Sequence, residues 1–488
     1  MIKIILRLVL FFSLLSCGNP VKFSTQNPVI QDRRGSGVLP DLDPLTEEYS
    51  PLGLNDKVIV LNKISHAPMD LISQNLILTF DPINQTVRGQ SIIKFKLKKS
   101  GRPYFELQSP LTSIRLNTFS VSASSLKDPD GENQSYWSVD QKLSPGSVHE
   151  LELEYQLPAG RVTFTNGGVR FLTDMTDLNG KFFEYWGPVG FEGDAFALNL
   201  ELKVNNTESV HTLFTNGKSS VSPSQSWKII FPDYFSKSSF YVHLTNLTGL
   251  TIKKFVYQGL EKDIPVEVYG TTASLVNSAV SQLPKLFAEL EGDYGAYAHE
   301  KFVAYMNDRS GGMEYVGATI TSLGSLDHEL LHSWFARSVI PADGRSGWID
   351  EAMASWRDYG YTQAKSTLQR TPTNLANFSS YRKSTPSNSY VDGRALMAEL
   401  DLEFESFGGL KPVMRAFFKK YKNQVVTNEE FWDFLHLQTN LDVEPFNLRY
   451  AMGEAEESME EDGASLSIKK EVSKHPDPLT EKEVLRLR

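Results

Sequence analysis

The chain has 488 residues, 40% hydrophobic and 22% charged, a composition that describes an ordinary globular protein long enough for two or three domains. Its formal net charge is −10, and no basic run could track a phosphate backbone, which argues against nucleic acid as a partner. There is one cysteine, so no internal disulfide can form.

Residues 1–17 read as a targeting segment. Lys3 and Arg7 make a charged start, and Leu8 to Leu15 form an apolar stretch too short to span a bilayer. Leu14-Leu15-Ser16-Cys17 resembles a bacterial lipobox, whose cysteine becomes the lipidated first residue of the mature chain. That resemblance implies a membrane anchor at Cys17 and a place in the cell envelope, with Gly18 favouring the outer membrane. Residues 18–55 are rich in Asn, Pro, Ser, Gly and Asp, cannot bury a core, and read as a flexible tether.

From 56 to 250 the sequence alternates. Leu76–Phe80, Ile92–Leu97, Val148–Tyr155, Ala197–Val204 and Phe240–Leu244 are strand candidates between turn-rich gaps. Many short strands with hardly a helical run imply an antiparallel sandwich or saddle. The aromatics of Phe183-Glu184-Tyr185-Trp186-Gly187-Pro188 read as core packing. Beyond 251 the pattern mixes. Ile264–Tyr269 and Phe302–Met306 read as strands, and Ala273–Leu290 as an amphipathic helix that Pro284 should kink or split. After the second of these strands comes a glycine-rich turn with Glu314.

His328-Glu329-Leu330-Leu331-His332 has the residue types and spacing of a zinc centre. Histidines four apart on a helix lie about 40° from one another around its axis, so both rings can reach one ion. Glu329 places a carboxylate beside that ion and not on it, where it can serve as a base. Leu326, Leu330, Leu331, Trp334 and Phe335 cover the rest of the helix, so its polar groups need partners. Tetrahedral zinc takes three protein ligands and a water. Eighteen residues after His332 stands Glu351. Pro341 and Gly344 allow a first helix ending near Ile340 and a second starting near Gly347, with Glu351 early in it. Residues 393 to about 450 read as helical, and from 451 a polar, acidic tail reads as solvated.

The stretch 328–361 resembles the core of the M1 metallopeptidases, the gluzincin aminopeptidases. Gly311-Gly312-Met313-Glu314-Tyr315 resembles their G-x-M-E-N motif, and Tyr390-Val391-Asp392-Gly393 their Y-x-K-G motif. The resemblance implies an α+β chain: a β-rich N-terminal domain over 56–250, then a thermolysin-like mixed α/β catalytic domain over 251–450. It further implies Zn2+ held by His328, His332 and Glu351, with Glu329 accepting and returning a proton. Gly311, Gly312, Met313 and Glu314 would bind a peptide substrate, Glu314 by its α-amine, and Tyr390 would stabilise the transition state. Tyr359, Tyr361 and Tyr381 compete with Tyr390 for that role. Tyr315 stands where the family has asparagine, which predicts an altered amine pocket, and Asp392 stands where it has lysine. Larger members roof the site with a further helical domain, so a site that is more open, or roofed by a partner, is expected here. The implied activity is removal of N-terminal residues from peptides. Its rivals are an M61-like or endo-acting metallopeptidase and a peptide-binding surface lipoprotein that does not cut.

Overall fold

Strict alternation of buried and exposed side chains builds the first half of the chain. Asp70–Asp81 and Thr86–Lys96 pair antiparallel, and alternation along them puts Leu76, Leu78, Phe80, Ile93 and Phe95 on one buried face. They are the central strands of an eight-stranded sheet. A five-stranded and a four-stranded sheet complete the region before Leu247. These coordinates come from a computed structural model, which describes residues 57–454 except 128, 130–135, 159, 161, 166, 176–181, 223 and 362–371. Cys17, the tether and all but residues 451–454 of the tail lie outside the described residues.

The expected strands are present, those at 148–155, 197–204 and 240–244 within two residues of their limits, while those at 76–80 and 92–97 each begin six residues earlier than expected; the expectation of purely antiparallel pairing is corrected. Ala197–Val204 runs parallel to Asp70–Asp81, and Ile64–Pro68 parallel to Arg102–Glu106. Both pairs join strands far apart in sequence, and a long connection frees a strand to enter from either end. Phe183 and Trp186 are buried, their ring centroids 4.0 Å apart.

The second half is built on a mixed five-stranded sheet. Asp263–Gly270, Phe302–Met306 and Ala318–Thr321 run parallel, with antiparallel edge strands Thr251–Gln258 and Gly312–Tyr315. Helix α1 (Ala273–Tyr294) packs Val276, Leu283, Phe287 and Leu290 into the core over this sheet. It continues through Pro284 without a break, contrary to the expected split. Burial of Leu283 and Phe287 on either side holds the turn that the proline weakens.

Helix α2 (Leu326–Leu331) is also shorter than expected. Ala336 takes a positive φ of 111°, and Val339–Pro341 leaves to pair in parallel with Gln424–Val426. Two consecutive β-branched residues at 339 and 340 gain more from that ladder than from another helical turn. Helix α3 (Trp348–Asp358) begins where expected. Helices α4 (Asp392–Glu403), α5 (Leu410–Tyr421) and α6 (Asn428–Thr439) follow, α6 opening with a capping box between Thr427 and Glu430.

Two buried histidines make this fold acid-sensitive. Burial and then the nearby Arg170 lower His243 to about 4, and burial together with Lys262, Lys422 and Arg337 lowers His299 to about 4. Both are neutral in the folded chain, so below pH about 6.5 the unfolded chain binds the protons that the folded chain refuses. Stability is therefore full above that pH and falls as pH drops toward 4, by on the order of 3 kcal/mol per histidine. His299 Nε2 donates to the Ser333 carbonyl at 2.9 Å, a bond glutamine can imitate. Denaturant titrations of His299→Gln at pH 7 and pH 5 should show a pH slope smaller by up to one proton. An unchanged slope would remove His299 from this account.

Candidate metal centre

α2 and α3 are held side by side by apolar packing, and three of their polar side chains meet between them. Leu326, Leu330, Leu331 and Trp334 are fully buried around α2, as are Trp348, Ala352 and Trp356 around α3. His328 Nε2 lies 3.2 Å and His332 Nε2 3.6 Å from Glu351 Oε2. The edge of a tetrahedron with arms of about 2.1 Å is about 3.4 Å, so these spacings suit one zinc-sized ion, and two nitrogens with one oxygen are a donor set zinc favours. Each imidazole has its other nitrogen engaged. His328 Nδ1 donates to Asp358 Oδ2 at 2.6 Å, and His332 Nδ1 to the Phe335 carbonyl at 3.2 Å. Those bonds fix the rings so that both Nε2 atoms face Glu351.

Charge also fits a cation. Glu314, Glu329, Asp350, Glu351 and Asp358 crowd around two imidazoles and one guanidinium. Burial, and then the charges of Glu314 and Glu351, push Glu329 up to about 8 against the pull of the histidines. Burial with Glu351 and Glu314 likewise pushes Asp350 up to about 8. Burial works against charge on the histidines too. Even so, Asp358 and Glu351 hold His328 well above its usual range, and Glu314 with Glu351 holds His332 at about 10. Glu351 is buried, yet its bonds to both rings keep it far below the usual carboxylate range. The cluster thus draws two protons onto its imidazoles, and a dication answers the same demand. Glu329 Oε2 is buried with no hydrogen-bond partner among the described residues. Glu329 stands outside the triad and within 4.8 Å of His332 and Glu314 through its ligand atoms.

The glycines earn their places locally. A side chain at Gly312 would begin 2.5 Å from the Glu329 carboxyl carbon, so only glycine lets the edge strand lie against that carboxylate. Gly311 has φ +82°, the left-handed conformation that starts this strand. Met313 is half-buried against the core cluster that includes Tyr315, and the Glu314 carboxylate turns toward the centre, where Arg337 Nη2 meets Oε1 at 2.8 Å. Tyr315 stands where the M1 pattern has asparagine. Its ring is buried away from the centre, donating to the Thr173 carbonyl and accepting from Met175 N at 3.2 Å, and so ties the strand to the β-rich half.

Tyr390, in the turn Ser387–Tyr390 before α4, donates to Glu351 Oε1 at 2.7 Å. Although the residue is 39% exposed, desolvation of its hydroxyl and the neighbouring Glu351 push its phenol well above 10, so it stays protonated. Its competitors point elsewhere. Tyr359 lies under Arg394, Tyr361 donates to Asp293, and Tyr381 packs with Tyr136. Gly393 explains the end of its motif, since a Cβ there would sit 2.8 Å from Ala352 Cβ and push α4 off α3.

Sequence reasoning missed Asp358 and Arg337. Asp358 lies seven residues after Glu351, two helical turns on the same face, a spacing that could have flagged it. Asp358→Asn should weaken zinc binding about 10- to 100-fold, measured by competition with a chromophoric chelator. Wild-type affinity in that variant would mean the 2.6 Å bond does not prepare the ring. Arg337 had no sequence signal.

No family profile and no curated protein matches the sequence. Solved structures do. An M1 zinc metallopeptidase mutant from Deinococcus radiodurans, bound to a Tyr-Ser-Ala substrate, superposes at TM-score 0.59 and 14% identity over 77% of this chain and 93% of that one. Native yeast LTA4 hydrolase gives 0.59 at 14% over 88% and 73%, and Legionella pneumophila aminopeptidase A in complex with aspartic acid gives 0.61 at 15% over 81% and 51%. At these identities the likeness is one of fold, and the chain therefore has the fold of the M1 zinc metallopeptidases.

Proposed function

We propose that the protein is a zinc-dependent peptidase that removes N-terminal residues from peptides. The observation that carries this reading is the convergence of His328 Nε2 and His332 Nε2 on Glu351 Oε2, with a free carboxylate, Glu329, beside them. His328, His332 and Glu351 would hold zinc, which when bound supplies a Lewis acid for a water and a peptide carbonyl.

The chain's own groups divide the remaining work. Glu329 takes a proton from the attacking water and delivers it to the departing amine nitrogen. Tyr390 gives its phenol hydrogen to the oxyanion of the tetrahedral intermediate. The strand Gly312–Tyr315 is the last of its sheet, and an extended peptide could pair along its outer edge. Glu314 would then receive the α-amine. One observation favours a second reading, cleavage without need of a free amine: Arg337 already occupies Glu314 Oε1.

Zinc analysis of the purified chain, together with aminoacyl and N-acetyl-aminoacyl fluorogenic substrates before and after chelator dialysis, tests the proposal. We expect about one zinc per chain and turnover that disappears with the metal and returns on adding it. Bound zinc with no turnover on any substrate would favour the non-cutting peptide binder.

A further inference from the structure

Arg337 is the cation that the peptidase reading leaves unused. Ala336, with φ 111°, turns the chain back after α2, and Arg337 N donates to the His332 carbonyl at 3.0 Å. Its side chain is 9% exposed. Nη2 donates to Glu314 Oε1 at 2.8 Å, Nη1 donates to Ser238 Oγ, and Nη1 lies 4.0 Å from Glu192 Oε1. Asp350 is the remaining acid acting on it. Glu192 in turn accepts from Ser236 Oγ at 3.2 Å and from Ser238. The guanidinium is thus held by residues from both halves of the chain, with Nη2 on Glu314.

We propose that Arg337 is a specificity-determining residue that limits how strongly this site selects a free α-amine. The inference rests on the reading that Glu314 receives that amine. Glu314 has one oxygen committed to a permanent cation, so an arriving ammonium must share the carboxylate and sit close to a like charge. Two unit charges about 5 Å apart at an effective dielectric of about 20 repel by an amount worth on the order of a hundredfold in affinity, and screening by any water or salt that reaches them reduces this toward tenfold. A neutral, N-acetylated terminus meets no such repulsion. The ion pair therefore narrows the gap between free and blocked peptides. It leaves the groups at the metal triad unaltered.

The test uses the full chain with its zinc content measured in each variant. Alanine amide and N-acetylalanine amide are bound calorimetrically, and a matched free and N-acetylated peptide pair gives kcat and KM. Arg337→Met should bind alanine amide about tenfold tighter and N-acetylalanine amide no differently, with the change in turnover falling on KM and not on kcat. Arg337→Lys, which keeps the charge, should return the ratio to the wild-type value. A merely structural role would lower affinity for both ligands and would not be rescued by charge. If Arg337→Met does not fold, Arg337→Gln carries the same expectation. Glu314→Gln should erase the preference. An unchanged or smaller preference in Arg337→Met, or in Arg337→Gln where the methionine variant does not fold, with zinc retained and Glu314→Gln still erasing it, overturns the inference and leaves the role of Glu314 standing. A Glu314→Gln ratio equal to wild type overturns the role of Glu314, and the inference with it.

Discussion

Glu329→Gln should bind zinc as the wild type does and lose about 10²- to 10⁴-fold in kcat, the usual contribution of a positioned general base. Glutamine keeps the side chain's shape and cannot take a proton from water. Its fold should be unharmed. Burial and neighbouring acids already disfavour charge at this position, raising Glu329 to about 8, so a neutral side chain relieves repulsion. Metal analysis, a thermal melt and a progress curve on one fluorogenic substrate decide the matter. Full activity in this variant would show that another group accepts the proton.

Gly312→Ala should be nearly as damaging, from a residue with no chemistry of its own. Its Cβ would stand 2.5 Å from Cγ, the carboxyl carbon and Oε1 of Glu329, well inside contact distance. Either the edge strand moves out, carrying Glu314 with it, or Glu329 leaves its rotamer. Overpacking of this kind costs roughly 1–3 kcal/mol of stability. Misplacing a catalytic group by about 1 Å costs on the order of 10²-fold in rate. The variant should keep its zinc ligands, which lie on α2 and α3, so zinc content near one with kcat down at least tenfold is the expected signature. An active Gly312→Ala would mean that the strand yields freely.

The contrast between these two residues shows what was legible beforehand. His328, Glu329, His332 and Glu351 could be read because a helix turns spacing into direction. The strand 197–204 was found to the residue because alternation reports a half-buried face. Its parallel partner was hidden, since pairing across 124 positions (73 to 197) leaves no local mark. The helix expected to reach Ile340 stopped at Leu331, and the residues 339–341 joined a long-range ladder with Gln424–Val426 that outweighed local preference. Gly312 was recognised as a backbone glycine meant for the substrate, whereas its missing side chain is room for Glu329. Arg337 was unreadable, because its partners Glu192, Ser238 and Glu314 come together only in the folded chain.

The three residues Val339–Pro341, lying between the histidines and Glu351, are clasped by Gln424–Val426 from far downstream. A deletion ending before 424 would free that connection and let the two ligand-bearing helices drift apart. The carboxy-terminal helices are therefore not dispensable trimmings, and shortened versions of the chain should lose their affinity for metal before they lose their β-sheets.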